Sequence, residues 1–209
     1  MAANDYHFVT RWQVVGTASE VADVLEHAED YPRWWPSVYR DVEVVAPGGE
    51  GGVGKTLDLV TKGWLPYTLQ WRLTVTESRY PFGFTIEADG DFLGRGSWTF
   101  EPVGAWVDIT FDWNIRAEKP LVSLLSPVAK PLFAANHRWA MRRGEESLIL
   151  ELARQRAASA AERAGLPDPP APSSSVPFLL GAAAAALLAV GALRGAARRR
   201  RRRCRLRRG

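Results

Sequence analysis

The chain has 209 residues and 46% hydrophobic content, enough for one globular domain with its own core plus an appendage. A domain of about 160 residues buries close to 70% of its unfolded surface and needs no disulfide, and the single cysteine, Cys204, excludes an intrachain one. The net charge of +4 misleads: Arg194–Gly209 hold ten Arg and no acid, so residues 1–193 stand at −6, and the globular part is acidic while the high pI belongs to the tail.

Tyr6–Val15 alternates, with Phe8, Thr10, Trp12 and Val14 on one side and His7, Val9, Arg11 and Gln13 on the other, the pattern of a strand with one dry face. Thr17-Ala-Ser-Glu20 is a capping box that opens a helix with Val21, Val24, Leu25 and Ala28 at helical spacing. Pro32 and Pro36 end it, so a short second turn leads into a loop carrying Trp34, Trp35 and Tyr39.

Six more strands are expected from alternation between Gly and Pro joints. Their inward rows are Val38, Val42 and Val44; then Leu57–Thr61; then Leu69, Trp71, Leu73 and Val75. Phe82, Phe84, Ile86 and Ala88 follow, then Trp98 and Phe100, then Val107, Ile109, Phe111, Trp113 and Ile115. Gly90 and Gly94 read as joints. A long helix is expected over Ser126–Ala161, with Ser126 as N-cap and Pro131 near its first turn. Its inward stripe is Phe133, His137, Ala140 with Met141, Gly144, Leu148 and Leu152. A glycine there costs roughly 1 kcal/mol against alanine, which points to close approach to the sheet backbone.

Residues 166–175, LPDPPAPSSS, form a Pro/Ser linker that separates the domain, 1–165, from the tail. Residues 176–193 carry no charge; as a helix they reach about 27 Å, near the minimum for a bilayer span. The Arg cluster of 194–209 suits anionic lipid headgroups, and beside an apolar run that reading outweighs nucleic acid. Cys204 within it is a candidate for acylation. MAANDYHFVTRW has no secretory pattern, so the domain is expected in the cytoplasm, membrane-associated through residues 176–209. The Arg tail should stay on that same side, which conflicts with a single crossing.

The order strand, helices, six strands, long helix gives an α+β domain in two layers. With TASEVADVLEHAEDYPRWWPSV, TKGWLPYTLQWRLTV and NHRWAMRRGEESL, it resembles the START-like (SRPBCC) superfamily, and within it the polyketide cyclase/dehydrase and lipid-transport family, over about Tyr6–Gln155. The resemblance implies a helix-grip fold, a curved seven-stranded antiparallel sheet around the long C-terminal helix, with a deep apolar cavity between them. It implies binding of lipids, polyketides or other hydrophobic molecules, with catalysis in only some members.

Gly49–Thr56 matches the phosphate-loop pattern, but an alternating strand follows where a helix is required, so the stretch reads as a hairpin connection. No cofactor is implied, no His/Cys/Asp/Glu cluster has metal-ligand spacing, and nothing demands an obligate oligomer. No catalytic residue is assigned. His137 is the one weak candidate for acid–base work, beside Asn136, against the simpler reading of a packed histidine hydrogen-bonded to the sheet or a loop. The ligand-binding set is Trp12, Trp34, Trp35, Trp71, Leu73, Phe84, Trp98, Phe100, Phe111, Trp113, Asn136, His137 and Met141. Trp34, Trp35 and Tyr39 either guard the cavity mouth or close the barrel end. The ring row either fills the interior or leaves mismatches for a ligand. The preferred function is binding, and possibly transport, of a hydrophobic molecule at the membrane. The alternative is a polyketide cyclase/aromatase-like enzyme in the same cavity, and a third reading is a scaffold using the Arg tail.

Overall fold

The alternating segments pair as the pattern requires. In the computed structural model, which describes residues 5–117 and 126–173, strands β1 (Asp5–Val15), β2 (Tyr39–Ala46), β3 (Thr56–Thr61), β4 (Leu69–Ser78), β5 (Gly83–Gly90), β6 (Phe92–Val103) and β7 (Trp106–Ala117) form one sheet. Its order is β1-β7-β6-β5-β4-β3-β2 and every pairing is antiparallel. Between β1 and β2 lie α1 (Ala18–Leu25) and the one-turn α2 (Tyr31–Trp34); after β7 come α3 (Ser126–Arg156) and α4 (Ala160–Ala164). Residues 5–63 with the described residues from 67 to 173 make one compact unit. Sheet and long helix together are a helix-grip arrangement.

Local chemistry accounts for the element ends. Thr17 Oγ1 accepts from the Glu20 amide at 3.2 Å and Glu20 Oε2 accepts from the Thr17 amide at 2.8 Å, so the capping box is formed. The same Glu20 pairs with Arg156 at 2.7 Å, tying the start of α1 to the end of α3. That guanidinium, before the Thr17 bonds, holds the Glu20 carboxyl down at about 2. The long helix stops at Arg156, short of the expected Ala161. Ser159 caps a new helix instead, its Oγ accepting from the Glu162 amide at 3.1 Å.

Several strand readings are corrected. Strand β6 runs straight through Gly94, which does not act as a joint, and through Gly96. At Gly96 a Cβ would meet the Trp113 ring at 2.6 Å and Phe111 at 2.8 Å, so glycine makes room there for a pair of large rings on β7. Phe82 is 53% exposed rather than inward, because β5 begins only at Gly83. Edge strand β2 is bulged at both ends, and Val44 is exposed where an inward position was expected.

The dry face is a mesh of rings. Trp98 stacks on Phe111 with centroids 4.1 Å apart and Phe111 on Trp113 at 5.3 Å, across the β6–β7 register that sets Trp98 opposite Phe111. Phe133, Met141, Leu148 and Leu152 of α3 join the same core. Each such side chain contributes roughly 1.5–3 kcal/mol by burial. Gly144 meets not the sheet backbone but the indole of Trp35, whose Cη2 would lie 2.6 Å from an added Cβ. Glu151 of α3, 3% exposed, lies beneath the half-exposed Arg33 and accepts from both of its terminal nitrogens at 2.9 and 3.0 Å.

The phosphate-loop pattern folds as a one-turn helix over Glu50–Gly52, followed after a three-residue turn by β3. With no helix after it, no N-terminal amides face a phosphate. Lys55 instead donates to Glu29 at 2.6 Å. Among the described residues no helix is long and apolar enough to cross a membrane. The expected membrane segment 176–193, the Arg cluster 194–209 and Cys204 lie outside the described residues.

Candidate functional site

The packing leaves a place where the helix and sheet do not mesh fully. A partly open cavity of about 100 Å³ lies against the first half of α3, its α3 wall formed by Phe133, Asn136, His137, Ala140 and Met141. The sheet supplies Trp71, Phe92, Trp113 and Tyr39 at the start of β2, and the α2–β2 connection supplies Trp35 and Val38. Why it lies here follows from residue sizes: the α3 stripe narrows to alanine at position 140, and Gly144 lets the Trp35 indole approach the helix closely.

Of the sequence-derived set, Trp35, Trp71, Trp113, Asn136, His137 and Met141 line this cavity. Leu73, Phe84, Trp98 and Phe111 surround, with Trp71, a second void of only about 30 Å³. That is the share of a single water. Trp12 meets Trp35 and Trp98, while Trp34 and Phe100 are 1% exposed and sealed in the core. The ring row therefore fills most of the interior by stacking on itself, and room for a guest is confined to its Trp71–Trp113 end. Of the loop aromatics, Trp35 and Tyr39 reach the cavity. Phe92, Leu69, Phe133 and Thr61 were missed as wall residues; the inward alternation of β3 and β4 places Leu69 and Thr61, whereas Phe92 was hidden by reading β6 too short.

The polar equipment is sparse. Trp71 Nε1 donates to Thr61 Oγ1 at 3.2 Å. The Asn136 carboxamide lies flush against Gly63, leaving no space for a Cβ there. Ser173, the last described residue, donates its hydroxyl to the Gly63 carbonyl at 2.6 Å, which sets this residue of the linker beside the cavity wall. His137 stacks on Phe8 of β1 with centroids 4.1 Å apart. Its Nε2 is sealed from solvent without a hydrogen-bond partner, as is Nε1 of Trp35. Such orphaned groups cost about 1–3 kcal/mol each. Burial, and secondarily Arg138, pulls the imidazole down to about 4, so it is neutral at pH 7. Burial also pushes the Tyr39 phenol up, keeping it un-ionised. Among the described residues no Asp or Glu lines the cavity, and its one cationic residue is Lys62. Nor, among those residues, do three His, Cys, Asp or Glu side chains come together as a metal site.

A ring-lined cavity with a single cation and no carboxylate among its described lining residues suits a mainly apolar guest rather than a metal. Comparison with known proteins agrees with that geometry. Residues 6–150 match the family described as polyketide cyclase / dehydrase and lipid transport. Among solved structures the chain is similar to TTHA0849 from Thermus thermophilus, with a TM-score of 0.60 and 15% identity over 73% of this chain and 100% of that one. It is similar to the Zhui aromatase/cyclase from Streptomyces sp. R1128, with a TM-score of 0.59 and 17% identity over 75% and 98%. A START superfamily protein from Mycobacterium smegmatis aligns with a TM-score of 0.51 and 15% identity over 68% and 98%. At these identities the likeness concerns the fold. No curated protein matches the chain in sequence.

Proposed function

The chain belongs to the polyketide cyclase / dehydrase and lipid transport family, and from that premise we propose that it binds a hydrophobic small molecule between α3 and the sheet. The observation that carries this reading is the cavity itself, walled by Trp71, Phe92, Trp113 and Met141 in an interior whose other rings interlock. At about 100 Å³ it is well below the ~300–1,000 Å³ of drug-sized sites. The resting cavity takes a guest of about one ring, and a larger ligand requires Trp35 or the first half of α3 to move.

A cyclase-like activity is the weaker alternative. A general base works best with a pKa near the working pH, and an imidazole at about 4 is both a feeble base and unprotonated at pH 7. Among the described residues no carboxylate on the cavity wall stands ready to raise it. Tethering at a membrane through residues 176–209 completes the proposal and rests on sequence: an uncharged run followed by ten Arg.

Native mass spectrometry of the full chain tests the binding reading, using copurified extract and a panel of small aromatic and acyl compounds. One-to-one adducts are expected in the parent protein and lost in Met141→Trp, which fills the cavity. If no compound gives an adduct, or adducts persist unchanged in Met141→Trp, this cavity is not the binding site.

A further inference from the structure

After α4 the chain comes back to the cavity. Residues 166–173, LPDPPAPS, carry four prolines and form neither helix nor strand. Their fixed φ angles favour the extended polyproline conformation, about 3.1 Å per residue, which loses little entropy when it is held. A contact near each end holds the segment. At its start the Pro167 carbonyl accepts from Arg154 in the last turn of α3, and the Arg154 carbonyl accepts from Nε of Arg163 in α4 at 3.2 Å. At its end the Ser173 hydroxyl donates to the Gly63 carbonyl at 2.6 Å. Gly63 lies against Asn136, which precedes Arg154 by about five turns of α3, or about 27 Å along the axis. The stretch from Pro167 to Ser173 reaches ~19 Å in polyproline form and ~22 Å at full extension. The Arg154 and Asn136 side chains supply the remainder. The segment is thus drawn close to its full length along α3, and it is half-buried at Leu166, Pro169, Pro170 and Ser173.

We infer that residues 166–173 are a strap that holds the cavity in its small form, and that release of the Ser173 end admits larger guests. This rests on the binding reading above and adds to it the regulation of that site. The latch bears on the edge where the walls meet. Gly63 and Asn136 both line the cavity, one beyond the end of β3 and one on α3, and they touch because Gly63 has no Cβ to hold them apart. Enlarging the cavity at this edge means parting these two residues. With Pro167 held by Arg154 and Gly63 held by Ser173, the wall at Gly63 moves away from α3 only by stretching a segment that has little length to give. The hold is also weak enough to let go. One hydroxyl–carbonyl bond near the surface shifts an equilibrium by about two- to tenfold.

The test compares the full-length protein with a full-length variant carrying Ser173→Ala, Ser174→Ala and Ser175→Ala, so that no neighbouring hydroxyl takes over the latch. The first readout is amide hydrogen exchange by NMR. The Lys62 amide, next to Gly63 and bonded to the Val38 carbonyl at 2.8 Å, should exchange about two- to tenfold faster in the variant. Amides in the middle of β6 and β7 should keep their rates. The second readout is binding of two neutral probes. Toluene is near the size of the resting cavity, since apolar cavities of roughly 150 Å³ hold benzene; N-phenyl-1-naphthylamine, with three rings, is too large for it. Toluene should bind both proteins alike, and N-phenyl-1-naphthylamine about two- to tenfold more tightly to the variant. An unchanged Lys62 rate overturns the strap. So does equal binding of N-phenyl-1-naphthylamine to the two proteins while toluene binds both, which leaves the cavity a binding site. A parallel gain for toluene means general loosening and overturns it too. If neither probe binds either protein, the binding reading falls and takes the selection of guests by the strap with it.

Discussion

His137 shows what a single buried side chain imposes on the whole. Its imidazole ionises near 6.5 when free and near 4 in the folded protein, with burial the larger cause and Arg138 acting in the same direction. Above pH ~6.5 neither state is protonated at this site and the full stability is present. As pH falls from there toward 4 the unfolded chain takes up a proton that the folded chain refuses, so stability declines. At 1.36 kcal/mol per unit the loss reaches at most ~3 kcal/mol. His137→Phe keeps the stacked ring and removes the titration. Urea unfolding at pH 7 and pH 4 should therefore show the parent losing up to ~3 kcal/mol more than the variant over that interval. Equal losses in the two proteins would mean that the imidazole is not held neutral. The inward position of His137 was legible from its place in the stripe, because helical periodicity is local. Its orphaned nitrogen was not, because that depends on Phe8, far away in sequence on β1.

At the scale of elements, what the sequence shows plainly is whatever neighbours within four residues decide. The Thr17–Glu20 capping box and the alternation of β1, β4 and β7 are of this kind, and they were readable. The continuation of β6 through Gly94 and Gly96 was not, since those glycines serve close packing against β7 and not turns. The stop at Arg156 was hidden because Ser159 and Glu162 form their cap inside an alanine-rich stretch that has good helix propensity throughout. Gly144 joins the two cases: its place on the stripe was clear, but its partner, Trp35, lies on another element. Gly144→Ala should gain up to ~1 kcal/mol of helix propensity and lose more, about 1–3 kcal/mol, to overlap with the indole. The net expectation is destabilisation by about 1–2 kcal/mol in urea titrations, with a changed tryptophan emission as Trp35 shifts. A variant as stable as the parent, with unaltered emission, would show that the Trp35–α3 contact is looser than its geometry indicates.

For the molecule as a whole, the proposed tether would join a small cavity to a charged tail. A ligand with little solubility in water must come from somewhere, and a membrane is the natural reservoir for one. In the proposed tether the ten Arg of 194–209 would add about 1 kcal/mol each at an anionic surface, an attraction that salt screens. The uncharged run 176–193 would add apolar transfer, which salt does not weaken. These two contributions separate in a single experiment. The full chain, and a chain ending at Ser173, are spun with phosphatidylcholine/phosphatidylglycerol vesicles at about 0.15 M and about 1 M sodium chloride, where the Debye length falls from ~8 to ~3 Å. The full chain should pellet with vesicles at both concentrations and the shortened chain at neither. Release at high salt would reduce the tail to a purely electrostatic contact and remove the apolar run from the anchor. Failure of the full chain to pellet even at low salt would dismiss the tether, leaving a ligand-binding domain that meets its guest in solution.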